Sequence, residues 1–481
     1  MQLAIAFASL RSVLIGMVLV SARSLRASIQ MALYPLTDIE ADPDDSQSIV
    51  RLLLYANQID IEGLVATTSV HQKALVSPAS IHAILNAYSK VQPNLLKHEP
   101  GFPKAAALHA LVSEGLPVYG MTGVGSGKDS AGSEWIIRAL EKEDKRPLWV
   151  AVWGGANTLA QALYKIKATH TPEEVKRLIS RLRVYTISDQ DDTGIWIRKT
   201  FPDLFYIVSP GGYGNATWGG INTVEPGFDN SEISNAWIAE NIQQGHGPLG
   251  AAYPDVGYGV EGDTPTFLSL ISNGLNAPER PDWGGWGGRY TLYTPEFSAI
   301  DPTGFTGGVP VETEPRPIWT NATDSVAPYS ANDYGRNVKA SEKLARGFRT
   351  TIWRWRKDFQ IDFAARMDWT TKSYSEANHP PVPALGHSDR LTVKSGTGFS
   401  LSAAGTTDPD GDSLSYLWMN YPEAGTLKHP IPIGSAENLY RVNINAPVVN
   451  SPETAHFILK VTDKGTPALT RYKRVVVTIV P

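Results

Sequence analysis

The residues best suited to chemistry lie in one acidic loop near the amino terminus. Residues 37–46 read Thr-Asp-Ile-Glu-Ala-Asp-Pro-Asp-Asp-Ser, with five carboxylates in eight positions. Uncompensated carboxylates at this spacing repel one another and raise each other's pKa values. A hard divalent cation removes that conflict, and an all-oxygen shell of about six to eight ligands suits Ca²⁺ better than Zn²⁺. The loop therefore predicts a calcium site.

A second interpretation of the acidic loop is structural. Asp45 or Ser46 can cap the first amides of a helix, and acidic neighbours favour the helix dipole. Capping accounts for one or two of the carboxylates but not for all five. A cation held by the others lowers the pKa of a bound water, and a neighbouring carboxylate can take the proton. The chemistry indicated is metal-assisted hydrolysis.

The elements that position this loop follow an α/β pattern from Leu33 to about Leu270. Short apolar runs alternate with helix-spaced apolar residues, which predicts βαβ units in a doubly wound parallel sheet. The predicted strands are 32–36, 62–67, 117–120, 148–153, 184–187 and 204–208, and the predicted helices are 49–56, 79–88, 133–140, 158–166 and 172–182. The acidic loop follows the first strand directly. We expect its side chains to converge at the carboxyl ends of the strands, where ligands bind in such sheets.

The remainder of the chain predicts a long loop, a helix and a second domain. Residues 276–341 are rich in Trp, Gly and Pro with little periodicity, which is typical of a lid or binding loop. Residues 342–367 have the apolar stripe of a packed amphipathic helix. After a Pro-rich linker, residues 379–481 predict an all-β immunoglobulin-like sandwich. Its predicted strands are 399–401, 414–418, 456–461 and 474–479. The α/β domain is accordingly expected at 31–375.

Composition limits the class of protein, and the amino-terminal residues predict its compartment. The 481 residues include 43 Lys+Arg and 48 Asp+Glu, a net charge of -5, which excludes a nucleic-acid binder held by bulk charge. Residues 1–22 read as a secretory signal peptide, although a true start near Met31 is the alternative. Sequons at Asn215 and Asn321 fit a secreted glycoprotein. We expect an extracellular protein with no membrane segment after cleavage and with no cysteine chemistry.

Three further groups of residues carry two interpretations each. Asp189, Gln190 and Asp191 follow a predicted strand, so they either bind sugar hydroxyls or cap the next helix. Trp283 and Trp286 either stack on a sugar or base, or pack within their loop. The turn at residues 408–412, Asp-Pro-Asp-Gly-Asp, is either a second calcium loop or an ordinary Asp-Gly turn.

The motifs, taken in order, resemble a known family. The pattern Asp38-x-Glu40-x-x-x-Asp44-Asp45 resembles the Asp-x-Asp-x-x-x-Asp-Asp signature of the nucleoside hydrolases, calcium-dependent enzymes that cleave N-ribosyl bonds. The chain is more closely similar to the nucleoside-hydrolase-like family often labelled cellulose-binding protein, whose members carry a C-terminal β-sandwich. The matching segments are 37–45, 60–67, 188–192, 201–205, 261–265 and 282–290. The resemblance runs over nearly the whole chain from residue 33.

The resemblance implies a role for each matching residue. Glu40 falls on the carboxylate that activates the water, and Asp44 on the residue that holds the sugar hydroxyls. A sugar-binding loop is implied near Thr68 and Ser69. The implied calcium ligands are Asp38, Glu40, Asp45, the backbone carbonyl of Trp153, and Asp263.

Two departures from the nucleoside-hydrolase pattern bear on the expected function. Glu40 is one methylene longer than the usual aspartate, and Gly262 stands where many nucleoside hydrolases have a histidine tied to leaving-group protonation. The expected function is a calcium-dependent hydrolase of glycosyl bonds, N-ribosyl bonds by the resemblance. The alternative is a non-catalytic polysaccharide-binding protein. The ligands expected are therefore a nucleoside, a riboside or a polysaccharide.

Overall fold

One mixed sheet forms the centre of the α/β domain. The computed structural model describes residues 30–211, 217–226, 228–300, 309–326, 345–434 and 438–481. Within these residues the sheet contains β1 (Met31–Thr37), β2 (Ile59–Ile61), β3 (Leu64–Ala66), β4 (Val112–Glu114), β5 (Leu148–Val152), β6 (Leu182–Thr186), β7 (Phe205–Val208), β8 (Tyr290–Tyr293) and β9 (Ile318–Asn321). The strand order is β4-β3-β1-β5-β6-β7-β9-β8, with β2 beside β1. Only the β8–β9 pair is antiparallel in this described sheet, so the predicted parallel sheet is confirmed.

Helices cover both faces of the sheet, as a doubly wound fold requires. They are α1 (Asp44–Leu53), α2 (Pro78–His98), α3 (Ala105–His109), α4 (Ala131–Glu141), α5 (Asn157–Thr169), α6 (Pro172–Arg181), α7 (Thr193–Thr200), α8 (Trp218–Asn222), α9 (Asn235–Ile238), α10 (Gly247–Ala251), α11 (Pro265–Leu268), α12 (Phe297–Ile300), α13 (Thr350–Trp353) and α14 (Arg356–Asp368). Leu33 of β1 packs in the core that contains α1 and α2, whereas Tyr34 and Leu36 pack in the core of α4 and α5. Successive residues of β1 thus serve opposite faces.

Two of the predicted elements are wrong, each for a local reason. Residues 117–120 form no strand: the edge strand is β4, and residues 120–123 form a 3-10 turn that begins at Gly120 with φ of 58°. This left-handed backbone conformation suits glycine and cannot continue a strand. The helix predicted at 342–367 is shorter and interrupted. Within its described part a strand, β11 (Ala345–Gly347), precedes α13 and α14.

The predicted sandwich is confirmed by two β-sheets in the last hundred residues. Its strands are β12 (Arg390–Lys394), β13 (Gly398–Ser402), β14 (Leu414–Asn420), β15 (Arg441–Asn445), β16 (Glu453–Asp463) and β17 (Thr470–Val480). One sheet has the order β12-β17-β16-β14, and the other pairs β13 with β15. Trp418, Phe457 and Val475 are fully buried in the core of this domain. Outside both domains' main sheets, β10 (Asp324–Val326) pairs with β11.

The sandwich shares a hydrophobic core with the α/β domain. Tyr421, Ile458 and Tyr472 of the sandwich belong to the same buried cluster as α1, α2 and α14. A buried ion pair crosses the boundary, because the Arg471 guanidinium lies 2.5 Å from the Asp362 carboxylate. The domains therefore pack as one continuous structure.

The long aromatic segment is part of this framework in its described portions. It supplies β8 and β9, which form one edge of the main sheet, and the Trp286 side chain is fully buried. The predicted signal peptide, the sequon at Asn215, and residues 301–308 and 327–344 lie outside the described residues. Among the described helices, none has the length and apolar character needed to cross a membrane.

Candidate metal centre and active site

An acidic cavity opens where β1, β5 and β6 end. Its volume is about 530 Å³. Asp38 follows β1, the start of α1 carries Asp44 and Asp45, and Asp263 lies just before α11. The lining residues are Asp38, Ala41, Asp42, Asp44, Asp45, His71, Trp153, Ile187, Gln190, Trp218, Tyr258 and Asp263. Five carboxylates from two distant parts of the sequence thus meet in one cavity, at the edge of the sheet where ligands of doubly wound folds bind.

Four of the five carboxylates of this cavity are buried, and Asp42 is half-buried. No lysine or arginine is among the described lining residues. Asp44, Asp45 and Asp263 are 5%, 2% and 1% exposed. Burial, followed by the charges of neighbouring aspartates, raises the pKa values of Asp45 and Asp263 well above the usual range. Such a group is unstable as a set of free anions and is suited to a divalent cation.

Two geometric observations show that the carboxylates fit a cation. Asp42, Asp44 and Asp45 each offer an oxygen atom, and these atoms lie within 4.8 Å of one another. Asp263 Oδ2 is buried and has no hydrogen-bond partner in the described structure. A buried charged oxygen without a partner is costly, and metal coordination is one of the ways to satisfy it. All of these donors are oxygen atoms, which favours a hard ion.

Neighbouring side chains orient the carboxylates. The Thr37 hydroxyl donates to Asp45 Oδ1, the Ser69 hydroxyl donates to Asp38, and the Trp218 indole N–H donates to Asp44 Oδ2 at 2.7 Å. Helix α1 begins at Asp44 with Pro43 at the N-cap, and Asp42 Oδ1 accepts the backbone N–H of Asp44 at 3.1 Å. Neither Asp45 nor Ser46 occupies the N-cap position, so capping explains one oxygen atom of Asp42 and not the other carboxylates of the loop.

A second group of contacts holds the loop that carries Asp263. Glu261 is fully buried, adopts a φ of 49°, and lies 2.8 Å from the Arg51 guanidinium of α1. The hydroxyls of Tyr253 and Thr264 also donate to this carboxylate. The ion pair between Arg51 and Glu261 therefore links helix α1, which carries Asp44 and Asp45, to the loop that carries Asp263.

The loop after β5 approaches the cavity through a glycine. A Cβ atom on Gly154 would lie 2.6 Å from Asp38 Oδ1, so a side chain at this position would displace the carboxylate. The Gln190 amide donates to the Trp153 carbonyl, and Gln190 Oε1 is buried without a partner in the described residues. The Trp153 backbone and Gln190 thus lie together at the wall of the cavity.

The structure does not bring Glu40 or Ser69 into the cavity lining. Glu40 is exposed and has a φ of 84°, a left-handed conformation that directs the loop away from the regular extension of β1. Asp42 lines the cavity instead. Ser69 is fully buried behind Asp38, where its Oγ also accepts the N–H groups of His71 and Gln72. The expectation that Glu40 is a calcium ligand and activates the water does not match this geometry.

Of the three residues at 189–191, only Gln190 lines the cavity. Asp189 forms a two-pronged ion pair with Arg198, with distances of 2.9 and 2.7 Å. Asp191 accepts the backbone N–H of Thr193 and the backbone N–H of Asn157, and burial raises its pKa to about 6. Asp191 therefore has the capping role, and Asp189 a structural one.

The two loop tryptophans lie away from the acidic cavity. Trp286 is fully buried, and its indole N–H points to the Tyr472 hydroxyl at 3.4 Å. Trp283 is half-buried at the junction with the sandwich, where its ring lies 4.8 Å from that of His456. Trp286 therefore has the packing role, and neither ring is among the residues that line the acidic cavity. Trp283 lines two junction cavities of about 560 Å³ each.

Sequence reasoning missed Trp218, Tyr258 and the position of Asp42. The spacing of the family signature matches Glu40 and assigns no role to Asp42. No local pattern distinguishes Trp218, but the glycine at position 262 indicates that another group packs closely against the chain there. A Cβ atom at Gly262 would lie 1.8 Å from Trp218 Cδ1 and 2.6 Å from Asp44 Oδ2. The Trp218 indole thus occupies the space in which a side chain at position 262 would stand.

Substituting Gly262 by alanine is expected to displace Trp218. The new methyl group overpacks the wall, at a cost of about 1–3 kcal/mol in unfolding free energy, and breaks the indole bond to Asp44. Denaturant unfolding and tryptophan fluorescence measure both effects. Gly434→Ala is the matched control, because no atom lies within 4 Å of its Cβ position. Equal stability of the two variants would contradict the packing described here.

The pH dependence of cation binding is expected to follow the raised carboxylate pKa values. Burial raises the pKa of Asp38 from 3.8 to about 6. A carboxyl with a raised folded-state pKa stabilises the cation-free protein below pH 3.8, and this stabilisation is lost as the pH rises through about 6. The Tm difference between calcium and chelator should therefore be near zero at about pH 4 and grow to about pH 7. A difference that shrinks over this range would contradict the cluster.

The fold and the acidic cavity together define a nucleoside-hydrolase-like protein. The family model described as cellulose-binding Sde182, nucleoside hydrolase-like domain, matches residues 33–290, and that of cellulose-binding protein Sde0182, C-terminal domain, matches residues 398–479. The first match alone spans more than half of the 481 residues. The chain belongs to this Sde182 family.

One solved structure agrees with the family match. A nucleoside hydrolase-related hypothetical protein from Saccharophagus degradans, described as associated with carbohydrate metabolism, is 37% identical, with a TM-score of 0.76 over 94% of this chain and 100% of that chain. The effector protein XOO4466 is 11% identical, with a TM-score of 0.33 over 60% of this chain and 87% of that chain. No curated protein matches the chain.

Proposed function

We propose that the acidic cavity is the active site of a calcium-dependent hydrolase that cleaves glycosyl bonds, N-ribosyl bonds in particular. The observation that carries this proposal is the set of five carboxylates, four of them buried, with no lysine or arginine among the described residues that line the cavity. The family relationship supports it, because its domain is described as nucleoside hydrolase-like.

The residues that would hold the cation come from three elements. They are the carboxylates of Asp38, Asp42, Asp45 and Asp263, and the backbone carbonyl of Trp153. The bound cation would offset their charge and lower the pKa of a water molecule. Asp42 is the half-buried member of the set. It replaces Glu40 as the group that accepts the proton, since a general base must lie within hydrogen-bond reach.

The substrate side of the cavity has polar and aromatic groups. Asp44, fixed by the Trp218 indole, and the amide oxygen of Gln190, which has no partner within the described residues, would bind the sugar hydroxyls. Tyr258 is 81% exposed at the cavity and offers a ring to the leaving group. His71 lines the same cavity and offers an imidazole that could hydrogen-bond to the leaving group.

The experiment that tests this function measures sugar release from a panel of nucleosides and from a chromogenic riboside. The protein is first treated with a chelator, and half is then refilled with Ca²⁺. Release that depends on Ca²⁺ is expected from at least one riboside. Circular dichroism of both samples controls for folding. No release from any substrate at saturating Ca²⁺ would refute the proposed activity.

A polysaccharide-binding function is the second candidate, and one specific observation favours it. The family descriptions of both matched segments are cellulose-binding, and Trp283 lines cavities at the junction of the two domains. Retention of the full chain on cellulose and related insoluble glucans tests it. Trp283→Ala should reduce retention, and Tyr258→Ala, in the other cavity, is the control. A chain that stays in the supernatant refutes this candidate.

We also propose that the chain is exported, on the evidence of the apolar segment within residues 1–22. Expression of the full-length chain in a secreting host should yield a mature protein that begins after Ala22. Retention of the intact amino terminus inside the cell would contradict this proposal.

A further inference from the structure

A groove runs along the junction between the α/β domain and the sandwich. It consists of the two cavities of about 560 Å³ each, which share Trp283, Arg390 and Val476 as lining residues and therefore lie side by side. We call it the junction groove. Each of its cavities has the size of a small-molecule site, about 300–1,000 Å³. The junction groove shares no lining residue with the acidic cavity among the described residues, so the two are separate sites.

Positive charge is in excess in the junction groove. Three acidic residues and six basic residues are among its described lining, namely Asp282, Asp389 and Glu423 against Arg280, Arg289, Arg390, Lys428, Lys473 and Arg474. The whole chain, in contrast, has a net charge of -5. The excess is therefore local, and a concave surface lined by one sign of charge concentrates ions of the opposite sign.

Ion pairs within the protein account for only part of this positive charge. Arg280 lies 2.6 Å from the Asp282 carboxylate, and Arg289 lies 2.6 Å from that of Asp324. The ion pairs of the described residues include none of the other four cations, which are Arg390, Lys428, Lys473 and Arg474. These four charges remain for a ligand.

The indole of Trp283 brings three of the arginines together. The guanidinium carbons of Arg280, Arg390 and Arg474 lie 4.6, 5.4 and 5.6 Å from the centre of this ring, within the range of cation–π contacts. Arg280 belongs to the α/β domain, whereas Arg390 and Arg474 belong to β12 and β17 of the sandwich. Guanidinium groups bind carboxylate and sulfate-like anions through paired N–H groups, so this arrangement suits an anionic ligand.

The floor of the groove contains buried donors. Arg474 is 8% exposed, and it donates to the backbone carbonyl groups of residues 275 and 284 at 2.8 Å and to His456 Nδ1 at 3.1 Å. Because Nδ1 of His456 accepts this bond, its Nε2 carries the ring proton and is a donor. Burial, and after it the charges of Arg474 and three other cations of the groove, lowers the pKa of His456 to about 3. The neutral ring thus lies in a positive field.

We propose that the junction groove binds an acidic polysaccharide, whose sugar units carry carboxylate or sulfate groups. The proposal goes beyond the neutral glucans considered above and is independent of the activity of the acidic cavity. Hydroxyl groups beside the cations favour a sugar ligand, since four threonines line one of the two cavities: Thr291, Thr426, Thr454 and Thr478. Sites for single-stranded nucleic acid offer aromatic faces to the bases, whereas guanidinium groups engage the Trp283 ring.

The test is native affinity electrophoresis of the full chain through gels that each contain one soluble polymer. The polymers are polygalacturonate, dextran sulfate, neutral hydroxyethylcellulose and polyglutamate. We expect the two acidic polysaccharides to retard the protein more than hydroxyethylcellulose does. Retardation should weaken as NaCl rises from about 50 to about 500 mM, because salt screens exposed charges.

The variant Arg390→Gln/Lys473→Gln removes two cations that form no ion pair within the described residues. We expect its apparent affinity for polygalacturonate to fall about fivefold or more, the order of effect of two exposed ion pairs. Lys90→Gln/Lys176→Gln is the matched control, because both lysines are exposed, lie outside the groove and give the same change in net charge. Equal Tm values check that both variants fold, and each single substitution in the groove repeats the test with a smaller effect.

The outcomes separate this proposal from the neutral-glucan candidate. Retardation by an acidic polysaccharide that the groove variant weakens and the control does not supports the proposal, and the polymer with the stronger effect distinguishes carboxylate from sulfate. Retardation by hydroxyethylcellulose alone overturns the proposal and leaves the neutral-glucan candidate standing. Equal losses in the two variants, or no retardation by any polymer, also overturn it. Equal retardation by polyglutamate overturns the assignment to a sugar polymer.

Discussion

Asp45→Asn is expected to lower kcat/KM for riboside hydrolysis about a thousandfold or more. A cation contributes several kcal/mol to such reactions, and each loss of about 1.4 kcal/mol reduces the rate tenfold. Asp45 is 2% exposed and is held toward the cluster by the Thr37 hydroxyl. Loss of this carboxylate removes a charged ligand at the centre of the proposed site. Steady-state kinetics with the most reactive riboside, at saturating Ca²⁺, measures the effect.

The same variant should be more stable than the parent when the cation is removed. Burial and, after it, the charges of neighbouring aspartates raise the pKa of Asp45 well above its usual range, so its charged form is unfavourable in the cation-free fold. An amide removes that repulsion. The Tm in chelator should therefore rise, while the calcium-dependent rise in Tm should fall. Asp203→Asn is the matched control, because Asp203 is exposed. A variant that is destabilised in chelator and still activated by Ca²⁺ would contradict the role of Asp45.

The second large effect concerns two acids of the same loop. Asp42→Asn is expected to reduce kcat/KM about a hundredfold or more, the order of effect of a general base. Glu40→Gln is expected to change it by less than about threefold, because Glu40 is exposed and does not line the cavity. The two substitutions make the same chemical change two positions apart, so each serves as the control for the other.

Chemical rescue distinguishes a base from a residue that only binds the cation. If Asp42 accepts the proton, an added small base should restore part of the rate of the Asp42→Asn variant. If Glu40→Gln is instead the inactive variant and Asp42→Asn is active, the signature spacing rather than the folded geometry identifies the base. That result would overturn our assignment of Asp42.

Much of the site could be predicted from the sequence, because one general rule suffices for its centre. Loops at the carboxyl ends of parallel strands border the ligand crevice, and this rule places Asp38, Asp44 and Asp45. The distant member, Asp263, came from the family resemblance alone. A single sequence carries no local indication that residue 263 meets residue 38. The sheet order that joins them results from tertiary packing.

Several residues that sequence spacing assigns to the site do not line the cavity. The signature match favours Glu40, but this residue has a left-handed φ of 84°, is exposed and does not line the cavity. Asp189 and Asp191 lie in a loop of the expected kind, yet Arg198 and the amide of Thr193 engage them. These partners lie close by in the folded structure, and the positions of acidic residues in the sequence do not reveal them.

The tryptophans illustrate the effect of the second domain. Trp283 and Trp286 belong to a segment with little periodicity, which favoured a mobile binding loop. The segment instead packs against the sandwich, and Trp286 contacts Tyr472 of β17. Whether an aromatic residue in an irregular segment meets solvent or another domain depends on contacts made almost two hundred residues away.

The central claim is that the cavity binds a cation through residues from both acidic segments. The measurement that tests it most directly is a crystal structure with Ca²⁺, with anomalous diffraction collected at long wavelength. We expect an anomalous peak in the cavity with oxygen atoms of Asp38, Asp42, Asp45, Asp263 and the Trp153 carbonyl at about 2.3–2.6 Å. A cavity without a peak at saturating Ca²⁺, or a peak whose ligands exclude Asp263, would contradict it.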